Sequence, residues 1–278
     1  MYYLAISVLP SIAEQDRGTR LSDYSFDNSI KYDIPIREAS GVALDPRNNL
    51  LYVHEDSFNP NKVYLFDLSG QLIKEYQLKG IKNNDWEDIT TNGNGVFWII
   101  DSKNSLIEFK TNKEGNLIDD SAISYNLPGD LKKYDIESLE YMKNTGMLIA
   151  ITKGSGNKIF AFKPGDQEAI YKGKIPETFK MKPSGLAQHP VTANFFVISF
   201  WGHQILEISS DLKTVLKVMN MPASLSFQPE GITFDKNQNM IIVAEKPWYS
   251  LFGNSTLIKL FSPQVLMNYE DTETRSDR

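Results

Sequence analysis

The chain has 278 residues, of which 41% are hydrophobic, 12% aromatic and 23% charged, and its formal net charge is −6. This composition excludes wholesale disorder, and an acidic chain with scattered basic residues lacks the electrostatic footprint of a nucleic-acid-binding protein. The absence of cysteine excludes disulfides, thiolate metal sites and a cysteine nucleophile.

The N-terminal region is open to two interpretations. Residues 2–9 are apolar and are followed by Pro10 and a Ser-Ile-Ala sequence, which suits a secretory leader, but the positively charged start of a leader is missing. An extra strand fits equally well. We therefore expect a leader remnant or an N-terminal extension at 1–22, one folded domain at 23–262 and a polar tail at 263–278. No stretch reaches the roughly 20 apolar residues of a membrane helix, so we expect no transmembrane segment.

Five segments of the chain share one pattern, in which a Ser or Glu is followed by a short apolar run. The aligned residues recur at intervals of 46 to 50 positions, and they are Ser40, Glu87, Glu137, Ser184 and Glu230. After each segment come a turn rich in Asn, Gly or Pro and a second apolar run rich in strand formers. The second runs are 50–53, 96–100, 147–151, 195–198 and 240–243.

A third strand follows in every repeat, and a fourth follows in most of them. The third strands are 62–66, 106–110, 158–162, 204–208 and 256–261. Four strands in a period of about 47 residues are typical of a blade of a β-propeller. No stretch shows sustained helical periodicity, which excludes an alternation of strands and helices.

The number of blades follows from counting strands. The last repeat supplies three strands before the polar tail, and the segment 30–36 lies before the first repeat, where a fourth strand belongs. We therefore predict an all-β, five-bladed propeller with four-stranded antiparallel blades, in which the N-terminal strand completes the last blade. Such closure removes a long exposed sheet edge. The alternative is a six-bladed ring that uses the first 22 residues.

Propeller topology places the start of each first strand and the end of each second strand at one mouth of the central channel. Acidic residues from different repeats occupy these positions and should converge there. As metal ligands we predict Glu87, Glu137 and Glu230. As further ligand-binding residues of the mouth we predict Glu38, Asp85, Trp86, Asp135, Lys153, Trp201, His203 and Glu245.

Three interpretations of this mouth remain open. The carboxylates could hold a hard cation such as Ca²⁺, which takes six to eight oxygen ligands. The mouth could instead be a pocket in which Trp86, Trp201 and Trp248 stack on a ligand while lysines meet its anionic groups. Finally, each aligned residue could accept backbone hydrogen bonds from the next blade and simply latch the ring. His203 is the general-base candidate near the mouth.

The repeats resemble the SdiA-regulated, YjiK-like β-propeller family of bacteria. The matching motifs are Glu38-Ala-Ser-Gly41, Asp85-Trp-Glu-Asp-Ile89, Ile136-Glu-Ser-Leu139, Pro183-Ser-Gly-Leu186, Gln228-Pro-Glu-Gly-Ile232 and Ile241-Ile-Val-Ala-Glu245. The resemblance implies a propeller that is exported to the periplasm or cell envelope and for which no enzymatic activity is well established. We accordingly expect a non-catalytic binding protein whose partner is a small molecule, a divalent cation or another protein. The alternative is a calcium-dependent hydrolase of phosphate or carboxylic esters.

Overall fold

The computed structural model describes residues 18–56, 60–154, 156–176, 182–222, 228–246 and 254–263. Within these ranges the chain forms two 3₁₀ helices, Leu21–Asp23 and Phe26–Asn28, and the strand β1 (Ser29–Ile34). Nineteen further strands follow and complete five four-stranded antiparallel sheets. None of the helices in the described ranges has the length and apolarity that a bilayer crossing requires.

Each sheet is one blade, numbered here along the chain. Blade 1 contains β2 (Ala39–Asp45), β3 (Leu50–Glu55), β4 (Lys62–Phe66) and β5 (Leu72–Gln77). Blade 2 contains β6 (Trp86–Thr91), β7 (Val96–Asp101), β8 (Ser105–Lys110) and β9 (Ile123–Asn126). Blade 3 contains β10 (Asp135–Met142), β11 (Met147–Lys153), β12 (Lys158–Phe162) and β13 (Ile170–Lys174). Blade 4 contains β14 (Pro183–Gln188), β15 (Phe195–Ser199), β16 (Gln204–Ile208) and β17 (Val215–Asn220). Blade 5 contains β18 (Gln228–Phe234), β19 (Met240–Glu245), β20 (Ser255–Leu260) and β1.

The chain ends close the ring as predicted. Strand β1 pairs antiparallel with β20, from Ser29 opposite Leu260 to Ile34 opposite Ser255. The first strands of the blades contact one another in the cycle β2, β6, β10, β14, β18 and back to β2. The five-bladed prediction is therefore confirmed, and the six-bladed alternative is wrong.

Burial falls from the inner to the outer strand of each blade. In blade 1 every residue of β2 is buried, whereas β5 is mostly exposed. The apolar core lies between the blades, because each of its five clusters is built from two neighbouring sheets. The hairpin turns suit this packing. In the turn after β4, for example, Asp67 accepts hydrogen bonds from the backbone N–H groups of Ser69 and Gln71, and Gly70 takes a φ of 75°.

The segment before β1 packs on blades 4 and 5. Leu21 is fully buried in their shared core, and its N–H donates to the Glu207 carboxylate at 3.0 Å. Arg20 forms a 2.7 Å ion pair with the same carboxylate, and the Tyr24 hydroxyl donates to the Gln238 carbonyl. Residues 18–22, which the sequence placed outside the folded domain, thus lie against the propeller.

Candidate functional site

A β-bulge at the start of each first strand positions the five aligned residues. In blade 2 the ladder pairs Trp86 with Asp101 and then Asp88 with Ile100, which leaves Glu87 without a partner. The ladders of blades 3, 4 and 5 skip Glu137, Ser184 and Glu230 in the same way. In blade 1 the irregularity lies between Ala39 and Val42 and so includes Ser40. A bulge redirects the side chain of its extra residue. The same irregularity of the backbone therefore orients the aligned side chain in each of the five blades.

The cross-strand register brings the predicted mouth positions together. Asp135 lies opposite Lys153, Gln228 opposite Glu245, and Ala39 opposite Glu55. The end of the second strand therefore lies beside the start of the first strand in each of these blades, at the end of the channel that we call the mouth.

Carboxylates of three blades cluster at this mouth. Oxygens of Asp56, Asp85 and Glu87 all lie within 4.8 Å of one another, and so do oxygens of Glu87, Asp135 and Glu137. We call these five residues the acidic rim. Glu87 belongs to both groups, and its carboxylate therefore has more acidic neighbours than any other in the rim.

Two lysines offset part of the negative charge. The Lys153 ammonium lies 2.7 Å from Glu137 Oε1, and the Lys103 ammonium lies 2.5 Å from Asp85 Oδ2. Ser102 Oγ donates a further short hydrogen bond to Asp85. Within the described ranges, by contrast, no group donates a hydrogen bond to the Glu87 carboxylate, so this central acid relies on a proton or a cation for compensation.

Burial and like charges disfavour ionisation at the rim. Burial and, next, the neighbouring Glu137 raise the pKa of Glu87 to about 10. Burial likewise raises the pKa of Glu137 to about 7, although Lys153 opposes this shift. Protons offset the repulsion between these carboxylates, and a bound cation can replace the protons in that role.

Blade 5 adds two more acids to the same electrostatic environment. Burial, then Glu245 and Glu137, raise the pKa of Glu230 well above its ordinary value. Burial, then Asp56 and Glu38, raise the pKa of Glu245 to about 8. Glu137 thus contributes to the raised pKa of both Glu87 and Glu230, although Glu230 lies outside both oxygen groups of the acidic rim.

The latch interpretation fits the serines better than the acids. Ser40 Oγ donates to the Glu87 carbonyl of blade 2 at 2.7 Å, and Ser184 Oγ donates to the Pro229 carbonyl of blade 5 at 2.8 Å. These two hydroxyls join neighbouring blades. Glu137 instead pairs with Lys153 of its own blade. The bulge position therefore joins neighbouring blades where it is Ser40 or Ser184 and contributes to the acidic rim where it is Glu87 or Glu137.

The predicted aromatic residues of the mouth divide into two kinds. Trp86 is fully buried in the core between blades 1 and 2, where its indole N–H donates to the Lys82 carbonyl. Its prediction as a ligand-binding residue is wrong, because this first residue of β6 turns into the blade interface. Trp201 is 63% exposed. Trp248 lies outside the described residues. His203 lies in the turn between β15 and β16, on a blade without rim acids.

Sequence reasoning missed two carboxylates that each link three blades, the fully buried Asp88 and the half-buried Glu140. Asp88 accepts hydrogen bonds from the N–H groups of Ile89, Leu139 and Leu186, which belong to blades 2, 3 and 4. Glu140 accepts from the Thr90 hydroxyl and from the Gln188 N–H. The sequence did carry a signal for Asp88, because the same position is glycine in three other repeats and serine in the fourth.

These shifts predict how stability depends on pH without divalent cations. The folded-state pKa values of Glu137, Glu245 and Glu87 are raised, so the folded chain holds protons that the unfolded chain loses above about pH 4.3. The free energy of unfolding should fall as the pH rises through 7, 8 and toward 10. Burial lowers the pKa of His54 to about 4, which opposes this trend only below about pH 6.5.

Thermal unfolding in EDTA tests this expectation. The melting temperature should be lower at pH 9.5 than at pH 7, and added Ca²⁺ should reduce the difference. A melting temperature that rises over this interval would show that the rim acids are ionised without penalty.

Comparisons with known proteins agree with this fold. Glutaminyl cyclase from Myxococcus xanthus is similar over 84% of this chain and 95% of its own, with 12% identity and a TM-score of 0.60. The gluconolactonase XC5397 from Xanthomonas campestris is similar over 91% and 93%, with 13% identity and a TM-score of 0.55. A chain of a nidogen–laminin complex is similar over 83% and 82%, with 12% identity and a TM-score of 0.50. At these identities the likeness shows the fold alone.

Sequence comparison gives the family. A search of curated proteins found no match. The family model described as SdiA-regulated matches residues 18–252, which include every strand of the propeller except β20 and also the packed segment before β1. The predicted resemblance is confirmed, and the chain belongs to the SdiA-regulated family.

Proposed function

We propose that this protein is a non-catalytic binding propeller whose channel mouth holds a divalent cation. The observation that carries the proposal is the pair of three-carboxylate groups that share Glu87, each with oxygens within 4.8 Å of one another. Hard cations such as Ca²⁺ take six to eight oxygens at about 2.3–2.6 Å, and bidentate carboxylates from three blades supply such a set. Ca²⁺ is the ion that this oxygen-only chemistry favours.

The electrostatics of the rim support the same conclusion. Glu87 has acidic neighbours in three blades, and within the described ranges its carboxylate accepts no hydrogen bond. Burying like charges together costs free energy, which a bound ion recovers when it replaces the protons. Both oxygen groups consist of aspartate and glutamate alone, and they lack the imidazole or thiolate ligands that transition metals prefer.

The role of the ion would be recognition. A cation on the rim would give an acidic mouth a local positive charge, and its open coordination positions would take oxygen atoms of a ligand or partner. We also propose that the protein acts outside the cytoplasm, where Ca²⁺ is abundant enough for a modest site. The expected Kd is on the order of 0.1–1 mM, the range of extracellular calcium modules.

Calorimetric titration with Ca²⁺ tests the proposal. The native protein should bind the ion with release of protons, because the rim acids are partly protonated at neutral pH. Glu87→Gln should weaken binding at least tenfold. The same variant should melt at an equal or higher temperature in EDTA, because it removes an acid that the folded chain must keep protonated and that the unfolded chain ionises freely. If Glu87 had only a structural role, its replacement by glutamine would lower the melting temperature in EDTA.

Glu75→Gln is the matched control. Glu75 is an exposed glutamate of β5 that pairs with Lys62, far from the first strands. This variant should bind Ca²⁺ like the native protein. Equal binding by both variants, or no heat of binding in the native protein, would refute the cation site. Turnover of a generic ester or phosphoester that requires Ca²⁺ and disappears in Glu137→Gln would replace the binding role by the hydrolase alternative.

A further inference from the structure

The mouth is asymmetric, and blade 4 is the exception. Blades 1, 2, 3 and 5 each bring at least two carboxylates to the mouth positions, among them the pairs Glu38 and Asp56, Asp85 and Glu87, Asp135 and Glu137, and Glu230 and Glu245. At its corresponding positions blade 4 has Lys182, Ser184, Ser199 and Phe200, followed by Trp201. One sector of an acidic mouth is therefore basic and aromatic.

Trp201 and Lys182 form a surface at this sector that we call the blade-4 platform, together with Phe200. The Lys182 ammonium lies 4.4 Å from the centroid of the Trp201 ring. The Phe200 ring meets Trp201 edge to face, with centroids 5.6 Å apart. Trp201 is 63% exposed, the largest value among the bulky hydrophobic residues of the described chain. An exposed indole beside a second aromatic ring and an ammonium offers a ligand a large area for stacking.

A buried hydroxyl holds both halves of the platform in place. Ser199 Oγ, at the fully buried end of β15, accepts hydrogen bonds from the Lys182 N–H at 3.0 Å and from the Gly202 N–H at 3.2 Å. The backbone before β14 and the backbone after Trp201 are thus tied to one atom. The aromatic ring and the ammonium are presented by a supported backbone, as a recognition surface requires.

The charge of Lys182 is not neutralised by a described acid. Within the described ranges it forms no ion pair with a carboxylate, and its observed contact is the face of Trp201. An ammonium beside an exposed indole attracts an anionic group attached to a ring that can stack. A plain anion would be repelled by the neighbouring acids unless the rim carries its cation.

We infer that the blade-4 platform binds a carbohydrate that carries a carboxylate, such as a uronic acid. The apolar face of the sugar ring would stack on the indole of Trp201, and the Lys182 ammonium would leave the face of that ring to pair with the carboxylate of the sugar. The hydroxyl groups would reach toward the cation on the rim, and this last contact rests on the proposed function. Blade 4 lies between blades 3 and 5, so one ligand at the mouth can meet both the platform and the acids.

Titration with D-glucuronate, followed by calorimetry and tryptophan fluorescence in the presence of Ca²⁺, tests this inference. Trp86 and Trp98 are buried, and a fluorescence change that disappears in Trp201→Ala would come from Trp201 and not from Trp248. Glucuronate should bind more tightly than D-glucose, which lacks the charge, and than glutarate, which lacks the ring. Trp201→Ala should weaken binding about tenfold, in line with the loss of one stacking contact. Trp201→Phe should recover part of it.

The variant Lys182→Met tests the charge separately. It should bring the affinity for glucuronate down to that for glucose while the stacking remains. Failure of the native protein to bind glucuronate, equal binding by Trp201→Ala, or equal affinity for glucose would overturn the inference.

The two proposals fail in different ways. Calcium binding by Trp201→Ala should match that of the native protein, because the rim acids lie on other blades. Intact Ca²⁺ binding without glucuronate binding would refute the platform alone. Glucuronate binding that persists in EDTA and is lost in Trp201→Ala would support the platform and refute its link to the cation.

Discussion

Replacing Asp88 by alanine is expected to lower the free energy of unfolding by about 3–5 kcal/mol, because it leaves three buried backbone donors unsatisfied. The Asp88 carboxylate is fully buried and accepts from the N–H groups of Ile89 at 2.9 Å, Leu139 at 2.9 Å and Leu186 at 3.2 Å. Two of these donors belong to other blades. The substitution therefore breaks a connection across blades 2, 3 and 4, and not a local contact.

Chemical denaturation measures this effect. The matched control is Asp119→Ala, which removes an exposed carboxylate from the loop between β8 and β9 and should change stability by less than about 0.5 kcal/mol. If Asp88→Ala unfolds at the same denaturant concentration as the control, Asp88 does not connect the blades.

Replacing Gly185 by alanine should be similarly damaging, for a steric reason. A Cβ atom at this position would lie 2.4 Å from the Glu230 carbonyl oxygen and 3.1 Å from the Cα of Gly231. Both atoms belong to the backbone of the next first strand, so no side chain can move aside. We expect a loss of about 2–4 kcal/mol, since the ring of first strands must open to admit the methyl group.

Gly129→Ala is the control for this prediction. The nearest atom to a Cβ at Gly129 is the Gln167 carbonyl oxygen at 3.9 Å, which is an ordinary contact. Thermal unfolding should place this variant close to the native protein and Gly185→Ala well below it. Equal melting temperatures would mean that the first strands of blades 4 and 5 are farther apart than described.

Repeat periodicity made the architecture predictable. Each blade is a local meander whose turns and apolar runs are written in consecutive residues, so its strands could be placed to within a residue or two. Counting strands then predicted the pairing of β1 with β20, although β1 begins at Ser29 and ends at Ile34 instead of spanning 30–36. Burial explains why the blades form a ring, because only a closed ring covers both faces of the inner strands.

The site was less predictable, because it depends on contacts between blades. Alignment of the five repeats predicted that Glu87 and Glu137 lie at the mouth. The bulge that orients their side chains, however, is visible only in the register of the strand pairs. Trp86 was misjudged because its position at the start of β6 gave no indication of which way the ring turns. The role of Asp88 depends on Leu186, 98 residues away, and no local pattern encodes that distance.

Anomalous diffraction from crystals soaked in Mn²⁺, a scattering substitute for Ca²⁺, would show whether the channel mouth holds a divalent cation. We expect a peak between the first strands of blades 2 and 3, within coordination distance of carboxylate oxygens of both Glu87 and Glu137. The peak should be absent from crystals of Glu87→Gln and present in those of Glu75→Gln. A mouth without a peak in the native protein, or an ion bound only at other carboxylates, would contradict this expectation.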